Sequence, residues 1–454
     1  MVGTFNFRHF HDANYTRTKQ YISFFEKIIN NNHERSAMER DVFMRPDHLI
    51  REEARMFCNT LRDFVNKEVL PHESEFDDYW DWTEREEHTF VKDLFKKLWI
   101  DLGLQKTFIP PQYGGMGGFS MVETSAAVLE VTRGDHGLAE SGFISGGAVV
   151  FAGLPTPNDL MMKKFAELLL GDEPYLIASA LTEPHGGGAV EDMKLQGAQI
   201  RTRARREGKE WIINGHKLWP SGYREAKMFA TVCSVEGKEF PNNLALIAVP
   251  ADTPGVSTSK PYQKMGTVLD TNGDIWFDNV RVPEENCIQE GDNAVKALTA
   301  WCTGARGAAA TFSVGIMRRA YEVLKQYVDN RETAGKPMKE HGPIVYELGQ
   351  IASDMISAEM FLWGTLERLD RADIYGPPWE PKQLAMASVC ANVVGDCAWR
   401  AINRGLELMG SYGYSKEGKM EKLLRDAKIA QIVVGGRVLR VVEAARYYFG
   451  TETV

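Results

Sequence analysis

"SALTEPHGGGAVED", residues 179–192, is the stretch on which the reading of this chain turns. An apolar run ends at Leu181, a Thr-Glu-Pro turn follows at once, and three glycines come directly after His185. Pro184 turns the chain, while Gly186, Gly187 and Gly188 leave the backbone bare. Such a strand end offers amides and a single hydroxyl, that of Thr182, to whatever lies against it. Alone, so short a pattern describes only a turn with flexible glycines. Its surroundings decide what the turn is for.

On the C-terminal side the chain reads as β structure. "QIRTRARR" alternates, and "WIINGHKLW", "MFATVCSV", "LALIAVP" and "DIWFDNVRVP" are short runs rich in β-branched or aromatic residues, closed by Asn, Gly or Pro. Strands at such intervals predict a small barrel or sandwich over residues 175–290. On the N-terminal side residues 46–174 read as helices. In "HLIREEARMFCNTLRDFVNKEVL" the positions Leu49, Met56, Phe57, Leu61, Phe64, Val65 and Val69 recur at helical spacing until Pro71. "IPPQYGGMGGF" is a loop.

From residue 291 to 454 helices return. "TGARGAAATFSVGIMRRAYEVLKQYVDNRE", "ELGQIASDMISAEMFLWGTLERLDRA" and "PKQLAMASVCANVVGDCAWRAINRGLELMG" are three long helical segments. "KMEKLLRDAKIAQIVVGGRVLRVVEAARYYF" makes a fourth, interrupted at Gly435 and Gly436, so a four-helix bundle is expected. Residues 1–45 form an N-terminal extension in which "YISFFEKIINN" has the pattern of an amphipathic helix packing on the body.

The totals narrow the function. The chain has 454 residues, long enough for two or three domains, and a formal net charge of -9, which argues against nucleic acid or an anionic membrane as partner. The six cysteines are scattered without a C-x-x-C pair, so free thiols are expected and no metal site. No apolar run is long enough to span a membrane, and the first residues lack the apolar segment of a secretory signal. The expected location is the cytoplasm.

Helices, then a small β domain, then a helical bundle: that α+β order, with the local motifs, resembles the FAD-dependent acyl-CoA dehydrogenase family from about Pro46 to the end. In that family the Leu181-Thr182-Glu183-Pro184 turn ends a strand, and its amides and hydroxyl contact the flavin ring. The resemblance implies an aromatic wall from Trp219 and a flavin-bonding hydroxyl from Ser221, in "GKEWIINGHKLWPSGY". The run ending in Phe277-Asp278 and Val280-x-Val282-Pro283 is mainly architectural, with Val268 and Asn272 where an Arg and a Thr are usual. Arg331 matches an Arg that reaches the FAD of a neighbouring subunit, although Ala334 and Gly342 replace a usual Phe and Gln. Gly410, Gly413, Arg425 and Asp426 match strongly, whereas Glu407 stands where a Gln approaches the FAD diphosphate. Arg306 matches an Arg near the coenzyme A pantetheine. Gly188 occupies a position whose usual Ser serves both ligands, and Thr303 replaces an Asp that bonds the pantetheine. The implied partners are an acyl-CoA substrate, an electron-transfer flavoprotein or similar acceptor, and further copies of the chain in a homodimer or homotetramer.

One part is missing. The family's reaction needs a carboxylate to remove the α-proton of the acyl group. The two positions that supply it hold Val434, in "IVVGG", and Ala305, in "GARG", and neither side chain accepts a proton. Three readings follow. In the first the base has moved, with Glu140 in "EVTRGDHGLAESGF" as the candidate, ahead of Asp135 and His136. This stretch lines the acyl pocket in the family, and some members acting on alicyclic thioesters draw an acid from it, so a bulky, cyclic or carboxylated acyl group is expected. In the second no α-proton base is needed, as in a decarboxylating, desulfinating or flavin monooxygenase relative. In the third the chain is the catalytically silent subunit of a hetero-oligomer; Glu407, Gly436 and Arg440, at positions that usually contact FAD, fit such decay.

Overall fold

The computed structural model describes residues 43–78, 89–194 and 200–452, so the segment "YISFFEKIINN" lies outside the described residues. Among the described residues six helices come first: α1 (Glu52–Phe64), α2 (Thr89–Lys96), α3 (Met121–Gly134), α4 (His136–Phe143), α5 (Ser145–Gly153) and α6 (Asp159–Leu169). α3 starts at a capping box, in which Ser120 Oγ accepts from the Glu123 amide at 3.1 Å and the Glu123 carboxylate accepts from the Ser120 amide at 3.0 Å. It stops at Gly134, where a Cβ would come within 2.8 Å of Val65, so α1 and its extension pack tightly there. Asp135 then takes an extended backbone and caps α4, accepting from the Leu138 amide at 2.9 Å. One residue thus sets the angle between α3 and α4.

Eight strands follow: β1 (Leu176–Ala180), β2 (Arg203–Glu207), β3 (Glu210–Leu218), β4 (Ala226–Val235), β5 (Leu244–Pro250), β6 (Val256–Thr258), β7 (Asp274–Pro283) and β8 (Cys287–Glu290). Their order is β6-β7-β3-β2-β4-β5-β8, with β1 attached to β4. β4 is shared along its length. Its first half pairs in parallel with β1, from Leu176↔Ala226 to Ala180↔Thr231, and its last two residues pair with β2. The sheet therefore folds around a core of its own, containing Trp211, Phe229, Ile247 and Val280. Its other face packs through Ile177, Met228 and Leu246 on α5, α6 and the start of the next helix.

That helix, α7 (Asp292–Asn330), is followed by α8 (Gly342–Asp370), α9 (Pro381–Met409), α10 (Met420–Ala427) and α11 (Gly436–Phe449). The last long segment is thus two helices. The break comes at Ala427, well before the paired glycines, and a short 3-10 turn separates the two parts. The N-terminal helices and the bundle share one core, in which Leu61, Phe64 and Leu129 pack with Val314, Leu362 and Val394. Helix, sheet and helix follow one another as the sequence pattern predicts, but in space the two helical parts are one body. Among the described residues no helix is long and apolar enough to cross a membrane.

Candidate active site

β1 ends at Ala180, and the Thr-Glu-Pro turn begins where β3 leaves the sheet. Lys217, with no exposed side-chain surface, holds the turn: its Nζ donates to the Leu181 carbonyl at 2.9 Å and to Glu183 Oε1 at 2.7 Å. Glu183 also accepts from the amides of Arg201 and Thr202, and the Thr182 carbonyl accepts from the Leu218 amide at 2.8 Å. Burial raises the Glu183 carboxyl, but Lys217 and the amide donors outweigh it and hold the group below its ordinary range. The turn is rigid. Among the described residues, neither the amide nor the hydroxyl of the half-buried Thr182 has a partner.

Trp219 follows Leu218 in a left-handed conformation, φ 64°, and leaves 47% of its surface exposed while its ring tilts over Tyr262 at 4.5 Å. A non-glycine residue in that region carries strain of the kind found at functional sites. Asn272 fixes the loop beyond it, with Nδ2 at 3.1 Å from the Trp219 carbonyl and 3.5 Å from Ser221 Oγ.

Ser221 brings the turn to Glu140. Its hydroxyl donates to Glu140 Oε1 at 3.0 Å, across 81 residues of sequence. Glu140 sits on α4 with only 16% of its side chain exposed, and His136 Nε2 lies 3.5 Å from its other oxygen. Burial, and then the charge of Asp270, push the Glu140 carboxyl up to about 8, against the opposing pull of Lys264 and Ser221. Asp270 is itself held by Ser141 Oγ at 3.1 Å and the Gly222 amide at 2.9 Å, and Lys264 Nζ donates to its carbonyl at 2.6 Å. Asp270 and Lys264 come from the loop before β7, and nothing in their local pattern marks them as neighbours of α4. A second, less-favoured candidate, Asp135, accepts from Lys422 Nζ at 2.8 Å as well as capping α4.

The glycines after Pro184 run past the segment that joins α10 to α11. A Cβ at Gly188 would meet Gly435 Cα at 3.1 Å, so the close approach of two backbones explains a glycine where the resemblance implies a Ser. Val434 has φ 52°, which is strained for a β-branched residue. Arg306 is completely buried: it donates to Ser388 Oγ at 2.9 Å, forms a two-pronged pair with Glu443, and its Nε lies 3.5 Å from the Val434 carbonyl. Thr303 is buried too, donating to the Pro378 carbonyl at 2.8 Å. Glu191, which the sequence pattern left unremarked, is buried in the same charged cluster with one oxygen unpartnered among the described residues, and burial above all pushes its carboxyl up to about 7.

Two residues lie apart. Arg331 caps α7 and is exposed, and 25 residues of helix, about 37 Å, separate it from Arg306. Gly410 ends α9 with φ 62°, an exposed turn that favours glycine, and Glu407 accepts from Asn403 Nδ2 at 2.9 Å.

Three domain models match the chain in order: "Acyl-CoA dehydrogenase, N-terminal domain" over residues 51–153, the middle domain over 178–280 and the C-terminal domain over 296–440. The chain belongs to the acyl-CoA dehydrogenase family. It is 28% identical over 398 residues to a probable acyl-CoA dehydrogenase, YngJ, of Bacillus subtilis, covering 87% of this chain and 97% of that one. To the cyclohexane-1-carbonyl-CoA dehydrogenase of Syntrophus aciditrophicus it is 28% identical over 401 residues, 87% and 96% of the two chains. Among solved structures, butyryl-CoA dehydrogenase from Megasphaera elsdenii superposes with a TM-score of 0.77 at 23% identity over 88% of this chain and 99% of that one. That last likeness speaks for the fold. As an acyl-CoA dehydrogenase, the chain is an FAD-dependent oxidoreductase acting on CH–CH bonds of acyl-CoA thioesters. The open Thr182 donors beside a strained, exposed tryptophan fit a flat, electron-accepting ring.

Proposed function

We propose that this dehydrogenase oxidises a coenzyme A thioester with a bulky, cyclic or carboxylated acyl group, and that Glu140 takes the α-proton. The observation that carries the reading is the hydrogen bond from Ser221 to a largely buried Glu140, in a chain whose Val434 and Ala305 cannot act as bases. FAD supplies the two-electron acceptor. Leu181, Thr182, Trp219 and Ser221 would hold its ring, with Gly188 letting the backbone run close and Gly410 and Arg331 serving its remainder. The exposure of Arg331 and its distance from Arg306 support a site completed by a second copy of the chain. Arg306 serves the thioester from inside its pair with Glu443, by fixing the segment at Val434.

Glu140 has the properties of a base that works in a dry site. Desolvation above all lifts its carboxyl to about 8, which suits proton transfer at neutral to mildly alkaline pH. Ser221 orients one carboxylate oxygen, and the other lies 3.5 Å from His136 Nε2. The relatives named for cyclohexane-1-carbonyl-CoA and cyclohex-1-ene-1-carbonyl-CoA, at 28% and 26% identity, support a cyclic acyl group.

The test is Glu140→Gln, assayed by flavin bleaching without oxygen across straight-chain, cyclic and dicarboxylic CoA esters. Turnover should fall about 10²–10⁴-fold while the protein stays yellow. Full activity in the variant would remove Glu140 from this role, and a preference of the native enzyme for straight-chain esters would overturn the acyl assignment. Release of CO2 with bleaching on a dicarboxylic ester would add decarboxylation to the reaction.

A further inference from the structure

We propose that His136 relays the proton taken by Glu140 out of the site, into a polar cleft at the start of α4. This rests on the Glu140 reading above. His136 Nε2 lies 3.5 Å from Glu140 Oε2, one helical turn away, which is at the edge of reach for a proton transfer in a site without substrate. The ring is 2% exposed, and neither of its nitrogens has a hydrogen-bond partner among the described residues. A buried imidazole with both nitrogens unbonded is unusual and calls for an explanation. Phe312 packs on the ring at 4.8 Å and keeps it in place without engaging either nitrogen.

His136 also lines a cleft that Glu140 does not reach. Its walls include Glu73, Asp77, Lys416, Lys419, Lys422 and Asp426, and its interior, about 20 Å³ for the centre of a water, has room for one ordered water. The ring therefore touches both Glu140 and this cleft. The charged groups facing it are Asp135 at the start of α4, Asp270 from the loop before β7, Lys422 and Asp426 from α10, and Glu140 itself. Burial outweighs the three aspartates and pushes the imidazolium down to about 4. The ring is thus neutral when it meets Glu140 and holds an extra proton only in passing. In the relay the Glu140 carboxylic acid gives its proton to the neutral ring, and the imidazolium gives one proton to a water in the cleft. One proton enters, one leaves, and no electron moves. Glu140 is returned to the carboxylate needed for the next turnover.

The experiment follows deuterium entry from D2O into 3,3-dimethylbutanoyl-CoA, which has α-hydrogens and none on its β-carbon, bound to the FAD-loaded enzyme. Native protein should exchange the α-positions, and His136→Gln should slow exchange at least tenfold at unchanged flavin content and melting temperature. Glu140→Gln should abolish exchange. Native-rate exchange in His136→Gln, with none in Glu140→Gln, overturns the relay and leaves the base standing. Native-rate exchange in Glu140→Gln overturns both. If the Gln variant loses its flavin, His136→Asn is measured in the same way and judged by the same outcomes.

Discussion

Lys217 Nζ stands 2.7 Å from Glu183 Oε1, and neither side chain reaches solvent. The pair ties the last residues of β3 to the turn that ends β1. Removing one partner leaves the other charge buried without compensation. Lys217→Met should therefore destabilise the protein by roughly 3–5 kcal/mol, and FAD should be lost on gel filtration. The double change Lys217→Met with Glu183→Gln should recover much of the stability, as measured by thermal melting.

The raised Glu140 carboxyl sets the pH dependence. The base must be ionised to work, so kcat/KM should climb with pH and level off above about 8. Stability runs the other way. Because the folded-state value lies above the ordinary one, the fold favours the protonated carboxyl, and this contribution is lost as pH rises from the ordinary carboxylate range through about 8. His136 has the opposite sign of shift, so its contribution is lost as pH falls from the ordinary imidazole range through about 4. Melting curves of native and Glu140→Gln protein between pH 5 and about 9 should diverge, with the variant losing less stability toward the alkaline end.

Ser221 donates to the ionised form of Glu140, so its loss favours the acid. Ser221→Ala should move the rising limb of the pH–rate profile to higher pH by about one unit. Activity at neutral pH should fall several-fold and recover at alkaline pH. A uniform drop at all pH values would mean that Ser221 acts on something other than the carboxyl.

Arg306 separates a structural from a ligand-binding role. Arg306→Met leaves Glu443 buried and unpaired and should cost roughly 3–5 kcal/mol, with partial recovery in the double variant with Glu443→Leu. A variant that melts like the native protein but shows a raised KM for the CoA ester would instead place Arg306 against the thioester directly.

The strands were legible where the pattern was strong. "WIINGHKLW" is β3 and "LALIAVP" is β5, each with the β-branched and aromatic residues that suit a pleated surface. β6 and β8, three and four residues long, have too few positions for any alternation to register. The final helical segment misleads for a physical reason. Apolar residues recur through Ile429, Ile432 and Val433 without a gap, yet the helix ends at Ala427 and resumes only at Gly436, after the left-handed residues Val434 and Gly435 and the approach of Gly188. Glu140 is a candidate on two grounds, the place of its stretch in the family resemblance and its standing as an acid in an uncharged run. Its neighbours are not legible in the sequence, because Asp270 meets α4 only through tertiary packing, 129 positions from Ser141. The pairing of Arg306 with Glu443, 137 residues apart, was hidden in the same way.

The shared core of the first and last helices has a bearing on biosynthesis. About 180 residues separate α3 from the middle of α7, so at ordinary translation speeds the early helices leave the ribosome some tens of seconds before their packing partners exist. During that interval Leu61, Phe64 and Leu129 have no Val314 or Leu362 to meet. The nascent chain should then display a sticky apolar surface until the sheet has been made and the bundle closes over it, which makes this stage of production the one most in need of a chaperone.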